Sequence, residues 1–115
     1  MGTLALLCKV LSQWYTLFHM SAKEKACPVQ KTATLLSDRW TMLIVRDLLE
    51  SAKRFCELER SLEGISTRTL TNKLQQLEEE DIVYKKDEIF YAVTEKGKGL
   101  RPIERAMRTY GEKYL

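Results

Sequence analysis

The most regular pattern of apolar and polar positions lies in STRTLTNKLQQLEE, residues 66–79, where Leu70, Leu74 and Leu77 recur at intervals of four and three. That spacing predicts a helix with one buried stripe, and Ser66 is a favourable N-cap for it. Upstream, Pro28 suits the first turn of a helix carrying Val29, Ala33 and Leu36, which the Ser37-Asp38 pair ends while capping the next one. The next segment runs from near Arg39 to about Ser51. Trp40, Leu43, Ile44 and Leu48 make it apolar around most of its circumference, so it is expected to be the central core helix, with Trp40 in the core. Phe55, Leu58 and Leu62 mark a short third helix, and Glu63-Gly64-Ile65 is a compact turn before the Ser66 cap. Ile65 and Leu70 flank that cap at the spacing of a hydrophobic staple.

After residue 81 the period changes. IVYKKDEIFYAV reads as two strands, Ile82 to Lys85 and Ile89 to Val93, joined around Asp87-Glu88, with Thr94 capping a final helix. In that helix Leu100, Ile103, Met107, Tyr110 and Tyr114 alternate spacings of three and four, the seam of a helix packed on another helix. Pro102 interrupts its start, so a continuous helix is expected from Ile103 onward. The fold class is therefore mainly α with a small β-hairpin: a winged helix-turn-helix with dimerising terminal helices, over residues 22–115.

Residues 1–21 form a separate N-terminal extension with two open readings. Leu4, Leu7, Leu11, Trp14 and Phe18 share one helical face, as in an amphipathic helix that docks on the domain or on a second subunit. Alternatively, Met20-Ser21 is a natural start and the residues before it are extraneous. Lys9 interrupts the apolar run, which excludes a transmembrane span.

Composition narrows the function. With 115 residues, 44% of them hydrophobic, the chain is sized for one domain able to fold without a metal or a disulfide framework. Cys8, Cys27 and Cys56 are far apart and His19 is the only histidine, which leaves no zinc-ligand spacing and fits reduced thiols in the cytoplasm. Cys56 is expected to be a small buried hydrophobe. Cys27, just before Pro28 at a helix start, sits where unpaired N–H groups favour a thiolate. No Ser/His/Asp set and no glycine-rich phosphate loop is present, so neither an enzyme nor a cofactor is expected.

A net charge of +3 permits nucleic-acid binding without requiring it, so placement matters more than the total. The outer face of the 66–79 helix lacks acids until Glu78 and displays Thr67, Arg68, Thr71, Asn72 and Gln75. Arginine grips guanine, Asn and Gln grip adenine, and Thr either hydrogen-bonds or touches a thymine methyl, so these residues form a base-reading face for the major groove. Glu78, Glu79, Glu80 and Asp81 would be repelled by phosphate and must point away from it. Lys53 and Arg54 before the third helix, Ser66 at the cap, and Lys85 and Lys86 on the hairpin are the expected phosphate contacts.

Three segments, CPVQKTATLLSDRWTMLIVRDLL, KRFCELERSLEGISTRTLTNKLQQLEEEDIV and AVTEKGKGL, together resemble the HxlR family of winged helix-turn-helix regulators, which are MarR-like in build. The resemblance covers nearly all of Cys27 to Leu115. It implies a dimeric bacterial or archaeal DNA-binding regulator whose terminal helices form the dimer; the seam of Leu100, Ile103, Met107, Tyr110 and Tyr114, longer than one small core can cover, is the expected interface, with packing inside the protomer as the alternative. The resemblance also implies a recognition helix on Ser66 to Glu79 and a redox- or electrophile-sensing role for Cys27. Family members carry a longer, Pro-containing wing; KKDEIFY turns back almost at once, leaving phosphate contact by Lys85 and Lys86. The segment before Ala22 has no counterpart in the family pattern. The expected function is that of a homodimeric transcription factor on a pseudo-palindromic operator in double-stranded DNA, with no membrane partner. The alternative is a protein-interaction module on the same scaffold.

Overall fold

The computed structural model describes residues 27–115. The N-terminal extension, with its Leu4, Leu7, Leu11, Trp14 and Phe18 stripe, Cys8 and His19, lies outside the described residues. The chain divides between Leu35 and Leu36 into two compact units. In the first, α1 spans Pro28–Leu35, with Pro28 at its first position and Val29 exposed.

The second unit follows the helix-turn-helix and wing order. Helix α2 is Arg39–Glu50, strand β1 is Lys53–Arg54, helix α3 is Phe55–Ser61 and helix α4 is Thr67–Glu79. Strands β2 and β3 are Val83–Lys86 and Phe90–Val93, and two helices follow, α5 at Glu95–Lys98 and α6 at Arg101–Tyr114. The core is Ile44, Val45 and Leu48 of α2, Leu58 and Leu62 around α3, Leu70, Leu74 and Leu77 of α4, and Ile82 and Val83 leading into the wing. Trp40 does not join it as expected. At the first turn of α2 it is half-buried, with the Arg39 guanidinium 4.4 Å from its ring centroid.

The sheet has three strands, in the order β1-β3-β2, where the sequence shows only two. Two residues carry too little periodicity to reveal β1, which exists because β3 supplies its antiparallel partner. The hairpin turn is as tight as expected. Asp87 and Glu88 both have positive φ, 53° and 60°, and the Ile89 N–H donates to the Lys86 carbonyl at 3.3 Å, closing a β-turn over Asp87 and Glu88 within a three-residue connection, since Lys86 pairs with Phe90.

The expected final helix is two. Thr94 caps the short α5, its Oγ1 accepting from the Gly97 N–H at 3.0 Å, and the chain restarts after Gly99 with Pro102 in the first turn of α6. Pro102 thus begins a helix instead of kinking one. Gly97 is buried where α5 crosses the wing base, and a Cβ there would stand 2.3 Å from the Ile82 carbonyl oxygen. Arg101 ties α6 back to α2 by donating to the Leu49 carbonyl at 2.9 Å.

Candidate nucleic-acid interface

Helix α4 separates its faces cleanly. Leu70, Leu74 and Leu77 are at most 2% exposed, whereas Thr67, Arg68, Thr71, Asn72 and Gln75 are all exposed. The turn into α4 requires Gly64, at φ +89°, a conformation that strains any L side chain. Ser66 then caps the helix, its Oγ accepting from the Thr69 N–H at 3.0 Å and donating to Thr69 Oγ1 at 2.8 Å. The Ser66 hydroxyl proton is thus already placed, and an anion at this helix end would meet the first-turn N–H groups beside it.

Both threonines on the outer face also have their protons placed. Thr67 Oγ1 donates to Glu59 Oε2 of α3 at 2.7 Å, and Thr71 Oγ1 donates to the Thr67 carbonyl at 2.8 Å. On the inner flank, Lys73 is hydrogen-bonded and ion-paired to Asp38, the N-cap of α2, which locks the rotation of α4 against the core helix. Burial alone would raise the Asp38 pKa, but the Lys73 hydrogen bond and charge and the Thr41 N–H together hold it below the ordinary carboxylate value. Neither Glu59 nor Lys73 was singled out by sequence pattern, since each is an ordinary charged residue until its partner is known.

The acids at the other end of α4 belong to a C-terminal motif. Asp81, at φ 61°, occupies the left-handed position usually given to glycine, while the Ile82 N–H donates to the Leu77 carbonyl at 2.9 Å and the Asp81 N–H to the Glu78 carbonyl at 3.1 Å. Glu78, Glu79, Glu80 and Asp81 are all exposed.

The sheet register brings together the two basic pairs, which are far apart in sequence. Lys53 and Lys85 both pair with Tyr91, and Arg54 and Lys86 both pair with Phe90. Cross-strand partners share a face and neighbours along a strand alternate, so the two rows lie on opposite faces. Arg54 and Lys86 share the outward row with exposed Tyr84, the Arg54 guanidinium lying 5.4 Å from the Phe90 centroid. Lys85 lies 5.7 Å from the Tyr91 centroid. Lys53 is half-buried and lines a hollow with the carboxylates of Asp47, Glu50 and Glu57, so of the four cations it is the least free for phosphate.

On α6 the expected seam divides. Leu100 is buried in the protomer core, a correction to its expected place in a dimer interface: as the residue before α6 it packs inward. Ile103 is half-buried, while Met107, Tyr110 and Tyr114 are 53%, 60% and 62% exposed, with the two tyrosine rings 4.9 Å apart.

Cys27 is exposed at the start of α1, and its thiol pKa is lowered by the backbone N–H of Gln30 and then that of Val29. Cys56, expected to be buried, is exposed on α3 with Arg60 Nη2 3.8 Å from its sulfur; the inward positions of that short helix belong to Leu58 and Leu62. Among the described residues no group of three or more His, Cys, Asp or Glu side chains is placed to hold a metal, and no helix is long and apolar enough to cross a membrane.

A core-packed helix-turn-helix with a short basic wing defines a winged-helix transcriptional regulator, a DNA-binding class and not an enzymatic one. Residues 35–115 match the HxlR-like helix-turn-helix family, and the chain belongs to it. It is 40% identical over 89 residues to the HTH-type transcriptional regulator YvaP of Bacillus subtilis, covering 70% of this chain and 82% of that one. The quinone-bound structure of YodB from B. subtilis superposes with a TM-score of 0.70 at 31% identity, over 76% of this chain and 100% of that one. A MarR-family regulator from Porphyromonas gingivalis superposes with a TM-score of 0.71 at 26% identity, over 80% and 96% of the two chains.

Proposed function

We propose that this regulator acts as a homodimer on a pseudo-palindromic operator, with α4 of each protomer in the major groove. Thr67, Arg68, Thr71, Asn72 and Gln75 meet base edges there, while Arg54, Lys85 and Lys86 contact phosphate, with Lys53 in a lesser role. The observation that carries this reading is the division of α4 into a buried leucine face and an exposed polar face that has no acid of its own before Glu78, together with the Arg54-Lys86 row that the sheet register assembles. The dimer forms through Ile103, Met107 and Tyr110, which line a shallow apolar groove of about 570 Å³ with Pro102, Ala106, Gly111 and Leu115, and through the exposed Tyr114 beside Tyr110.

Cys27 is the responsive thiol. Its exposure and lowered pKa support this role, and a similar protein, YodB, has been solved bound to quinone. The test is selection of bound fragments from random duplex DNA with the protein reduced, then treated with diamide or a quinone. A two-fold symmetric motif lost or weakened on treatment, with the loss abolished by Cys27→Ser, is the expected result. Absence of any sequence preference would reject operator reading, and a response that survives Cys27→Ser would remove Cys27 from it.

A further inference from the structure

The outer face of α4 is less polar than its sequence. Thr67 and Thr71 are exposed, one turn apart, yet neither has a hydroxyl proton to offer: one is held by Glu59 at 2.7 Å, the other by the Thr67 carbonyl at 2.8 Å. Donating to a base acceptor would break a bond already made, with little net gain in exchange. What each threonine retains for a partner is its γ-methyl group and the oxygen lone pairs. Arg68, Asn72 and Gln75 supply the donors on the same face.

We infer that Thr67 and Thr71 act as methyl readers, selecting pyrimidines that carry a 5-methyl group by van der Waals contact, and that Glu59 is the positioning residue that keeps Thr67 in this state. The major-groove edge of thymine presents such a methyl, whereas cytosine presents an amino donor at the neighbouring position. The inference rests on α4 lying in the major groove and specifies what two of its positions recognise there. It also divides the labour along the helix: the polar edges are read by Arg68, Asn72 and Gln75, and thymine by the two threonines.

The test changes the DNA before the protein. In the half-site obtained by selection, each thymine is replaced in turn by deoxyuridine, which removes only the 5-methyl group and keeps base pairing. One or two positions per half-site should lose about fourfold in affinity, the worth of one methyl removed from water. Thr67→Val or Thr71→Val, which keep a methyl and lose the hydroxyl, should retain that sensitivity. Thr67→Ser or Thr71→Ser, which keep the hydroxyl, should abolish it at one position each. Glu59→Ala should weaken the thymine preference opposite Thr67 while leaving that opposite Thr71. If the parent protein binds its motif equally well with every thymine replaced, or if the serine variants keep the sensitivity and the valine variants lose it, the inference is wrong while operator reading stands. If no motif is selected at all, both fall.

Discussion

Asp38 illustrates how much one side chain fixes at the residue scale. It accepts from the Thr41 N–H at 3.0 Å as the α2 cap and pairs with Lys73 of α4, so one carboxylate joins the core helix to α4. The cap was legible in the Ser37-Asp38 pair; the ion pair was not, because 35 residues separate the partners. The folded-state pKa of Asp38 is lowered, so its stabilisation is full above the unfolded value of about 3.9 and is lost as pH falls through the folded value. Asp38→Asn keeps a cap acceptor but removes the charge. Its stability should trail the parent near neutral pH and converge with it as pH falls through the lowered folded-state value, read from urea midpoints across the acid range. Gly97 is the second fixed point. An added Cβ would strike the Ile82 carbonyl, and since backbone must move to admit it, Gly97→Ala should cost about 1–3 kcal/mol in thermal or urea unfolding. In sequence Gly97 is simply part of EKGKG, since a close approach of backbone leaves no periodic signal.

At the scale of elements, legibility followed periodicity. Helices α2, α3 and α4 announce themselves through leucine spacing and caps, and their observed bounds fall within a residue or so of those expected. Strand β1 and the split between α5 and α6 do not, because one is made by its partner strand and the other by a tertiary contact at Gly97. The exposed polar face of α4 was legible as a set of residue types, whereas the placement of its hydroxyl protons depended on Glu59 and on the helix backbone. The hairpin turn carries a prediction of its own. Asp87 and Glu88 both adopt left-handed backbone, which glycine tolerates without a Cβ penalty. Glu88→Gly should therefore stabilise the protein by about 0.5–1 kcal/mol, allowing for the greater entropy glycine loses on folding, with an unchanged urea m-value. A loss of stability would contradict the turn geometry.

At the scale of the whole molecule, the proposed function requires the exposed apolar face of α6 and the polar face of α4 to act together. Met107, Tyr110 and Tyr114 are large and exposed on one helix, a surface whose burial by a second copy would set the separation of two reading helices. Met107→Glu with Tyr110→Lys should yield a monomer in sedimentation at micromolar concentration that engages a single half-site. A parent protein already monomeric there, binding one half-site, would reject the dimer. The seam was visible in sequence, but its inward member, Leu100, could be separated from the rest only once the break before α6 was known.

If the α4 face reads bases while the wing cations hold phosphate, Arg68→Ala and Lys86→Ala should fail in different ways. Affinity of each variant should be measured on the selected operator and on single-base variants of it, over a series of salt concentrations. Arg68→Ala should cost about 1–3 kcal/mol on the operator and lose discrimination at one base pair. Lys86→Ala should weaken every sequence alike and reduce the slope of log affinity against log salt by about one. If Arg68→Ala keeps both affinity and base preference, or shows the uniform, salt-linked loss expected of Lys86→Ala, the reading face lies elsewhere.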